Sequence, residues 1–272
     1  MLICFTIGNS LSELSETKEV EEMIESWLRE LEEAYGIEIL FASETGSRAW
    51  GGATNHSDYD VRFIYKHRDV KSYLSLRKAQ ETIDIPAPYD AQGWDLYKAF
   101  HLLQKSNPGL CEWAFSPILY RDRQHFSIRL RRYIRESYSL LSLLHHYIYL
   151  MTRNLKDIHD KAFTEKKQKQ LIQAVRAFLL SKAIIVEQKV PEDALYSSFD
   201  AISSKDSLTV SFYQKLLRAK MRGEIISAAD AEEITVRMEQ EKQLLLEHSH
   251  SLSKGKSIEN ELNQWIWELL CL

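Results

Sequence analysis

Two neighbouring stretches decide the fold: Gly46-Ser47-Arg48-Ala49-Trp50-Gly51-Gly52 and, just downstream, Ser57-Asp58-Tyr59-Asp60-Val61-Arg62-Phe63-Ile64-Tyr65. Read as a strand, the second points Asp58, Asp60, Arg62 and Ile64 to one face and Tyr59, Val61, Phe63 and Tyr65 to the other. With a rise of about 3.3 Å per residue, the Cα atoms of Asp58 and Asp60 lie about 6.6 Å apart, so both carboxylates can bend onto one or two divalent cations. Without a cation the two acids repel and one tends to hold a proton, a cost that a bound metal removes. The donors are oxygen only, with no His or Cys at ligand spacing, which selects Mg²⁺ or Mn²⁺ over zinc.

The first stretch supplies a complementary anion site. Gly46 lets backbone N–H groups approach a phosphate, Ser47 adds a hydroxyl donor, and Arg48 offers a fork of charged donors, so Gly46, Ser47 and Arg48 are the candidate nucleotide-binding residues. Upstream, Ile37, Ile39 and Phe41 alternate with Glu38, Leu40 and Ala42 in a strand that delivers the chain into this turn. Before it, Val20, Met23, Ile24, Trp27, Leu28 and Leu31 recur at helical spacing, with Ser10 or Ser15 as N-cap and Gly36 ending the helix. Downstream, a strand from Asp58 to Tyr65 is followed by strands at Asp84–Ile85 and Tyr89–Gly93, then a helix from Leu96 to Lys105 stopped by Asn107-Pro108. Beyond Phe126 the apolar pattern predicts helices near 127–155, 164–188, 207–221, 228–249 and 257–270, and no strand.

The 272 residues are 44% hydrophobic and 27% charged, which excludes a disordered, collagen-like or membrane-embedded chain. Nine Gly and five Pro are few for an all-β protein. Cys4, Cys111 and Cys271 form no CxxC pair, so neither a disulfide framework nor a thiolate zinc site is expected, and a reducing compartment fits. The apolar run Met1 to Ile7 is too short and wrongly flanked for a signal peptide or membrane span, so a cytoplasmic protein without a membrane partner is expected. Net charge is −4, unevenly spread. Residues 1–36 hold nine Glu against Lys18 and Arg29, whereas residues 121–182 hold fourteen Lys and Arg against five acids. The basic stretch reads either as a polyanion groove or as a solvated helix face.

A strand, a Gly-Ser turn, about ten residues and an Asp-x-Asp flanked by hydrophobic residues resemble the nucleotidyltransferase superfamily that includes DNA polymerase β. Gly46-Ser47-Arg48-Ala49-Trp50-Gly51, Ser57 to Tyr65, Gly93-Trp94-Asp95-Leu96, Lys105-Ser106-Asn107-Pro108, Glu112-Trp113 and Ser116-Pro117-Ile118 are similar to the YcgL/RlaP group of bacterial and phage nucleotidyltransferases, an RNA-repair polymerase-β family. The resemblance is strong from Ala42 to Tyr120; beyond it Lys167, Arg176 and Lys220 are isolated matches. Gly52-Ala53-Thr54-Asn55-His56 departs from the group's usual aromatic and proline without touching the acids.

The resemblance implies an α+β fold: a polymerase-β-like core over residues 1–122, a small mixed sheet flanked by helices, followed by an all-helical domain over 123–272. It also implies transfer of a nucleoside monophosphate from an NTP to an acceptor hydroxyl, with an RNA end as the acceptor the family label suggests, release of pyrophosphate, and two Mg²⁺ or Mn²⁺ ions held by Asp58, Asp60 and a third acid. Three candidates exist for that acid. Asp84 has apolar neighbours, Asp95 opens a helix where the dipole alone favours it, and Asp90, which leads a strand straight into a helix, is preferred as catalytic and metal-binding residue. Two other readings stay open: a non-catalytic nucleotide sensor or interaction protein, and a transferase acting on a protein or small molecule. Arg129, Arg131, Arg132 and Arg135 are candidates to line an acceptor groove, and Lys98 and Lys105 to meet phosphate. His145-His146 does not read as a metal site, because adjacent helical positions point apart. Trp265 and Trp267 read as docking residues of a last helix.

Overall fold

A computed structural model describes residues 11–54, 57–86, 88–156, 158, 163–192 and 199–272. Cys4, the Met1–Ile7 run, Ser10, Asn55 and His56 lie outside the described residues, as does the side chain of Ser15. The fold is α+β, a five-stranded mixed sheet with flanking helices followed by a helical C-terminal region. Among the described residues no helix is long and apolar enough to cross a membrane.

The first helix, α1 (Leu11–Tyr35), turns Ile24, Leu28 and Leu31 into the core, and Gly36 ends it at φ +62°, a left-handed conformation that suits glycine. β1 (Ile37–Glu44) pairs antiparallel with β2 (Val61–His67) on one side and with β5 (Leu119–Asp122) on the other. Between β1 and β2 lies the helical turn α2 (Gly46–Ala49). β2 runs parallel to β4 (Ala91–Asp95), and β3 (Thr82–Ile85) closes the edge in the order β3-β4-β2-β1-β5. α3 (Leu96–Gln104) and α4 (Pro108–Ala114) follow, then α5 (Phe126–Ser137), α6 (Leu140–Leu155), α7 (Glu165–Glu187), α8 (Phe199–Met221), α9 (Ala228–Glu247) and α10 (Glu259–Leu270).

Two apolar clusters sandwich the sheet. One face, with Val61, Phe63 and Tyr65, packs on α1. The other, with Leu40, Phe41 and Ile64, joins a single core that continues through α3, α4 and the C-terminal helices to Trp265. Regular alternation would put Phe41 on the same face as Ile37 and Ile39, but the β1–β2 register shifts between Ile39 and Phe41, turning Leu40 and Phe41 together toward the helices.

Other expectations need correction. β2 begins at Val61, three residues later than expected, because Asp58–Asp60 are still crossing from the turn into the ladder. β5 is a strand where none was read; its four residues are too short for a visible alternation. Asn107-Pro108 both stops α3 and starts α4, with the Asn107 side chain accepting from the Leu110 N–H and proline at the first turn. The single helix expected over 127–155 is two, parted at Tyr138-Ser139, where Ser139 caps α6. α8 starts earlier than 207 and is broken at Asp206, whose carboxylate caps the segment beyond through Thr209. Trp265 docks α10 as expected, against Phe100 and Phe126 at centroid distances of 4.7 Å, whereas Trp267 is 55% exposed.

Candidate active site

At the Asp60 end of β2 the sheet faces α7 and α8 across a cleft of about 640 Å³. Its sheet-side wall carries Thr45, Gly46, Ser47, Asp60 and Arg62.

Gly46 is what lets the turn close on the acid. Its φ is +64°, and a Cβ built there would stand 1.9 Å from Asp60 Oδ2. The Thr45 N–H donates to the Asp60 carbonyl at 2.9 Å, and the Asp60 N–H donates to Glu44 Oε1 at 2.7 Å. Turn and acid are thus tied by hydrogen bonds at Glu44 and Thr45 and closely packed at Gly46. Glu44 is fully buried; its other oxygen accepts from the Tyr120 hydroxyl at 2.6 Å. Burial pushes its carboxyl above the usual range, against the pull of these hydrogen bonds. The signal for Glu44 in the sequence was an acid closing a largely apolar strand two residues before Gly46.

Asp60 and Asp90 converge. In the parallel ladder Arg62 pairs with Gln92, so continuing the register back by two residues sets Asp60 beside Asp90. Arg62 lies between them, 3.3 Å from Asp60 Oδ1 and 3.8 Å from Asp90 Oδ2, and also donates to the Asp90 carbonyl. Burial raises the Asp60 pKa; Arg62 opposes the shift, and the Asp90 and Asp58 carboxylates add to it. Asp90 is not in a strand: it precedes β4 at φ +34° with an exposed side chain.

The other predicted residues are placed differently. Asp58 is exposed beside the cleft, and its charge is felt at Asp60. Arg48 turns back on its own loop, donating to the Ser57 and Asp58 carbonyls at 2.7 and 3.2 Å and stacking 3.8 Å over the Tyr59 ring. Asp84 is exposed on β3, bonded to Gln92. Asp95 is buried as the N-cap of α3, accepting from the Tyr97 N–H and the Tyr73 hydroxyl. The structure brings together Gly46, Ser47, Asp60 and Asp90; Asp84 and Asp95 stand elsewhere.

The opposite wall is cationic. Lys166, Lys169, Gln170 and Gln173 share one face of α7, and Lys220 of α8 reaches to 3.8 Å from the position a Gly52 Cβ would take. Burial, and then the neighbouring Lys169 charge, lower the pKa of Lys220. Like charges gathered on one wall, facing a glycine-rich turn, describe an anion site. Of the isolated matches in the helical half, Lys220 lines the cleft, Lys167 sits between two lysines that do, and Arg176 acts from behind. Arg176 is buried, pairs with Glu112 at 2.9 Å and stacks 3.9 Å over Trp50, the residue capping α2. It clamps α7 to the Gly-Ser turn.

The α5 arginines do not line this cleft. Arg129 pairs with Glu268, Arg131 donates to the Ala114 carbonyl at 2.6 Å, and Arg135 pairs with Glu192. His146 is partly buried, and burial lowers its pKa.

As to a metal, the donors are carboxylate oxygens, the right kind for a hard divalent cation, and burial raises the pKa of the partly buried Asp60 against the pull of Arg62. Among the described residues no three carboxylates, imidazoles or thiolates already share one coordination point. Asp60 and Asp90 converge on Arg62, with Asp58 to the side.

The chain is 32% identical over 241 residues, 87% of its length and 91% of the relative's, to the uncharacterized protein YcgL of Bacillus subtilis (strain 168). The sequence profile of RlaP, the RNA repair pathway DNA polymerase beta family, matches residues 20–268. The chain belongs to this family.

Proposed function

We propose that the protein transfers a nucleoside monophosphate from an NTP to an acceptor hydroxyl, an RNA end, with release of pyrophosphate. One observation carries this reading: a single cleft sets the Gly46-Ser47 turn and Asp60 against Lys166, Lys169 and Lys220. A triphosphate has the charge and length to span those walls, whereas a neutral small molecule would leave a cationic wall in which only Lys169 has an acid beside it, Glu165 at 2.7 Å.

In this reading the Ser47 hydroxyl and the turn's N–H groups hold phosphate oxygens, and the lysines take the β- and γ-phosphates. The acceptor oxygen attacks the α-phosphorus, the bond to the bridging oxygen of the β-phosphate breaks, and the lysine wall steadies the negative charge of the departing pyrophosphate. Asp90, exposed beside Arg62, accepts the acceptor's proton. Asp60 and Asp90, with Asp58, would hold Mg²⁺ or Mn²⁺, which supplies charge neutralisation at the transferred phosphoryl group. Glu44 and Arg176 are positioning residues: one fixes the Asp60 backbone, the other the Gly-Ser turn.

The test is incubation with each labelled NTP, Mg²⁺ or Mn²⁺ and RNAs of defined 3′ ends, beside the Asp58→Ala/Asp60→Ala variant. Label appearing on RNA with the unaltered protein alone is the expected result. Thermal stabilisation by NTP and metal with no transfer to any acceptor would replace this reading with a nucleotide sensor.

A further inference from the structure

Beyond the cleft the chain carries a second cationic surface that the transfer reaction does not use. A pocket of about 550 Å³ lies beside α3, lined by Lys78, Tyr97, Lys98, His101 and Lys105 among others. Lys98, His101 and Lys105 follow at spacings of three and four residues, which places them in one row along the helix. Past the end of α3 the row continues into a third pocket, of about 350 Å³, where Lys254 and Lys256 sit beside Gln104 and Ser106.

Three features separate this row from a solvated helix face. First, its cations are available: the α5 arginines, which looked equally basic in the sequence, are mostly bonded to their own chain. Lys78, Lys105 and Lys256 have no ion-pair partner among the described residues. The acids nearby are few: Glu81 at the rim, Glu259 at the start of α10, and Asp95, which is buried as a helix cap. Second, aromatic rings are interleaved with the charge: Tyr97 is 37% exposed, with Tyr73 behind it at a centroid distance of 5.0 Å. Third, the row is connected to the catalytic cleft. Trp113 lines that cleft and stacks on Trp94 at 3.6 Å, and Lys98 Nζ lies 5.9 Å over the Trp94 ring. Two buried indoles separate the cleft from Lys98.

A basic groove with exposed aromatic faces is how a single nucleic-acid strand is held without reading its sequence: cations follow the phosphates and rings stack on bases. The cleft has its own lysines for a triphosphate, so a second run of cations beginning beside it calls for a polyanion. We infer that the α3 row, from Lys78 through Lys105 to Lys256, is the seat of a single-stranded RNA acceptor, holding nucleotides behind the reacting end. The inference rests on the transferase reading above, and it can fail while that reading stands.

The test uses the full chain and the variant Lys78→Ala/Lys105→Ala/Lys256→Ala, whose three side chains are exposed, so folding is unaffected. Binding of a fluorescein-labelled 20-nucleotide single-stranded RNA is followed by anisotropy over a salt series, with MgATP-induced thermal stabilisation as a readout of the cleft. The variant is expected to bind RNA at least tenfold more weakly near physiological salt. The slope of log affinity against log salt falls in magnitude by about 2, at roughly 0.7 for each single-strand phosphate that is no longer neutralised. Stabilisation by MgATP remains unchanged. RNA affinity and salt slope equal to the parent's would overturn the inference and send the acceptor elsewhere. Parent protein that responds to MgATP yet does not bind RNA overturns it as well, leaving a transferase for another acceptor. If neither ligand binds, the transferase reading fails together with it.

Discussion

Replacing Gly46 with alanine separates two costs that a glycine at an active-site turn normally hides. The backbone there has φ +64°, and the new Cβ would fall 1.9 Å from Asp60 Oδ2 and 2.8 Å from its Cγ. Gly36 gives the control: φ is +62°, nearly the same, and nothing lies within 4 Å of a Cβ built there. Gly36→Ala therefore carries the conformational cost alone, about 1–2 kcal/mol. Gly46→Ala carries it too and must also push the Asp60 carboxylate away from Arg62, a charge-assisted contact worth about 1–3 kcal/mol when partly buried. The expected losses are about 1–2 kcal/mol at Gly36 and about 2–5 kcal/mol at Gly46; for a chain of this size each kcal/mol lowers Tm by about 2–4 °C. Urea denaturation of both variants measures the difference. In an Asp60→Ala background the excess at Gly46 should disappear, since the atoms it collides with are gone. Equal losses at the two glycines, or an excess that survives Asp60→Ala, would refute the argument that the turn is built around that carboxylate.

Three further predictions rest on other parts of the molecule. Arg176→Ala leaves Glu112 without its buried partner and should cost about 3–5 kcal/mol in chemical denaturation, while Arg176→Lys recovers part of it because the ion pair can re-form without the stacking on Trp50. Lys220→Met should be neutral or stabilising in the absence of nucleotide, since burial and Lys169 already disfavour its charge, yet should lose most of the thermal shift produced by MgATP; an undiminished shift would remove Lys220 from the phosphate wall. Burial raises the pKa of Asp95, so the folded state holds that proton more tightly than the unfolded chain. The stabilisation this provides is present at low pH and declines as pH rises from about 3.8 through the raised value. Stability of the parent relative to Asp95→Asn, followed by denaturation at pH 4 and pH 7, should therefore fall toward neutral pH, and a difference that grows instead would contradict the sign.

The candidate site was legible because its residues lie close together in the sequence. Gly46, Ser47 and Asp60 lie within one short stretch, and the helix ending at Gly36 announces itself by period and by glycine. What stayed hidden depends on contacts between distant residues. The shift at Ile39/Phe41 is a property of the β1–β2 pairing, and β5 is a strand only because β1 has a free edge there. Charge was the most misleading quantity. The basic stretch 121–182 mixes α5 arginines that bind their own chain with α7 lysines that line the cleft, and a sum over sequence cannot tell them apart. Asp84, Asp90 and Asp95 likewise share a plausible spacing, and only the parallel pairing of β2 with β4 distinguishes the one that meets Asp60.

The last helix reaches back to the beginning of the fold. Trp265 fills the space between Phe100 and Phe126, and the Leu269 carbonyl of α10 accepts from Lys66 at the far end of β2. A nascent chain emerging from the ribosome will have made its sheet, its Gly-Ser turn and both aspartates long before α10 leaves the exit tunnel, but it cannot seal the layer beneath them. Truncation before Glu259 should consequently yield a product with the whole sheet and the walls of its cleft translated and an open, protease-sensitive interior.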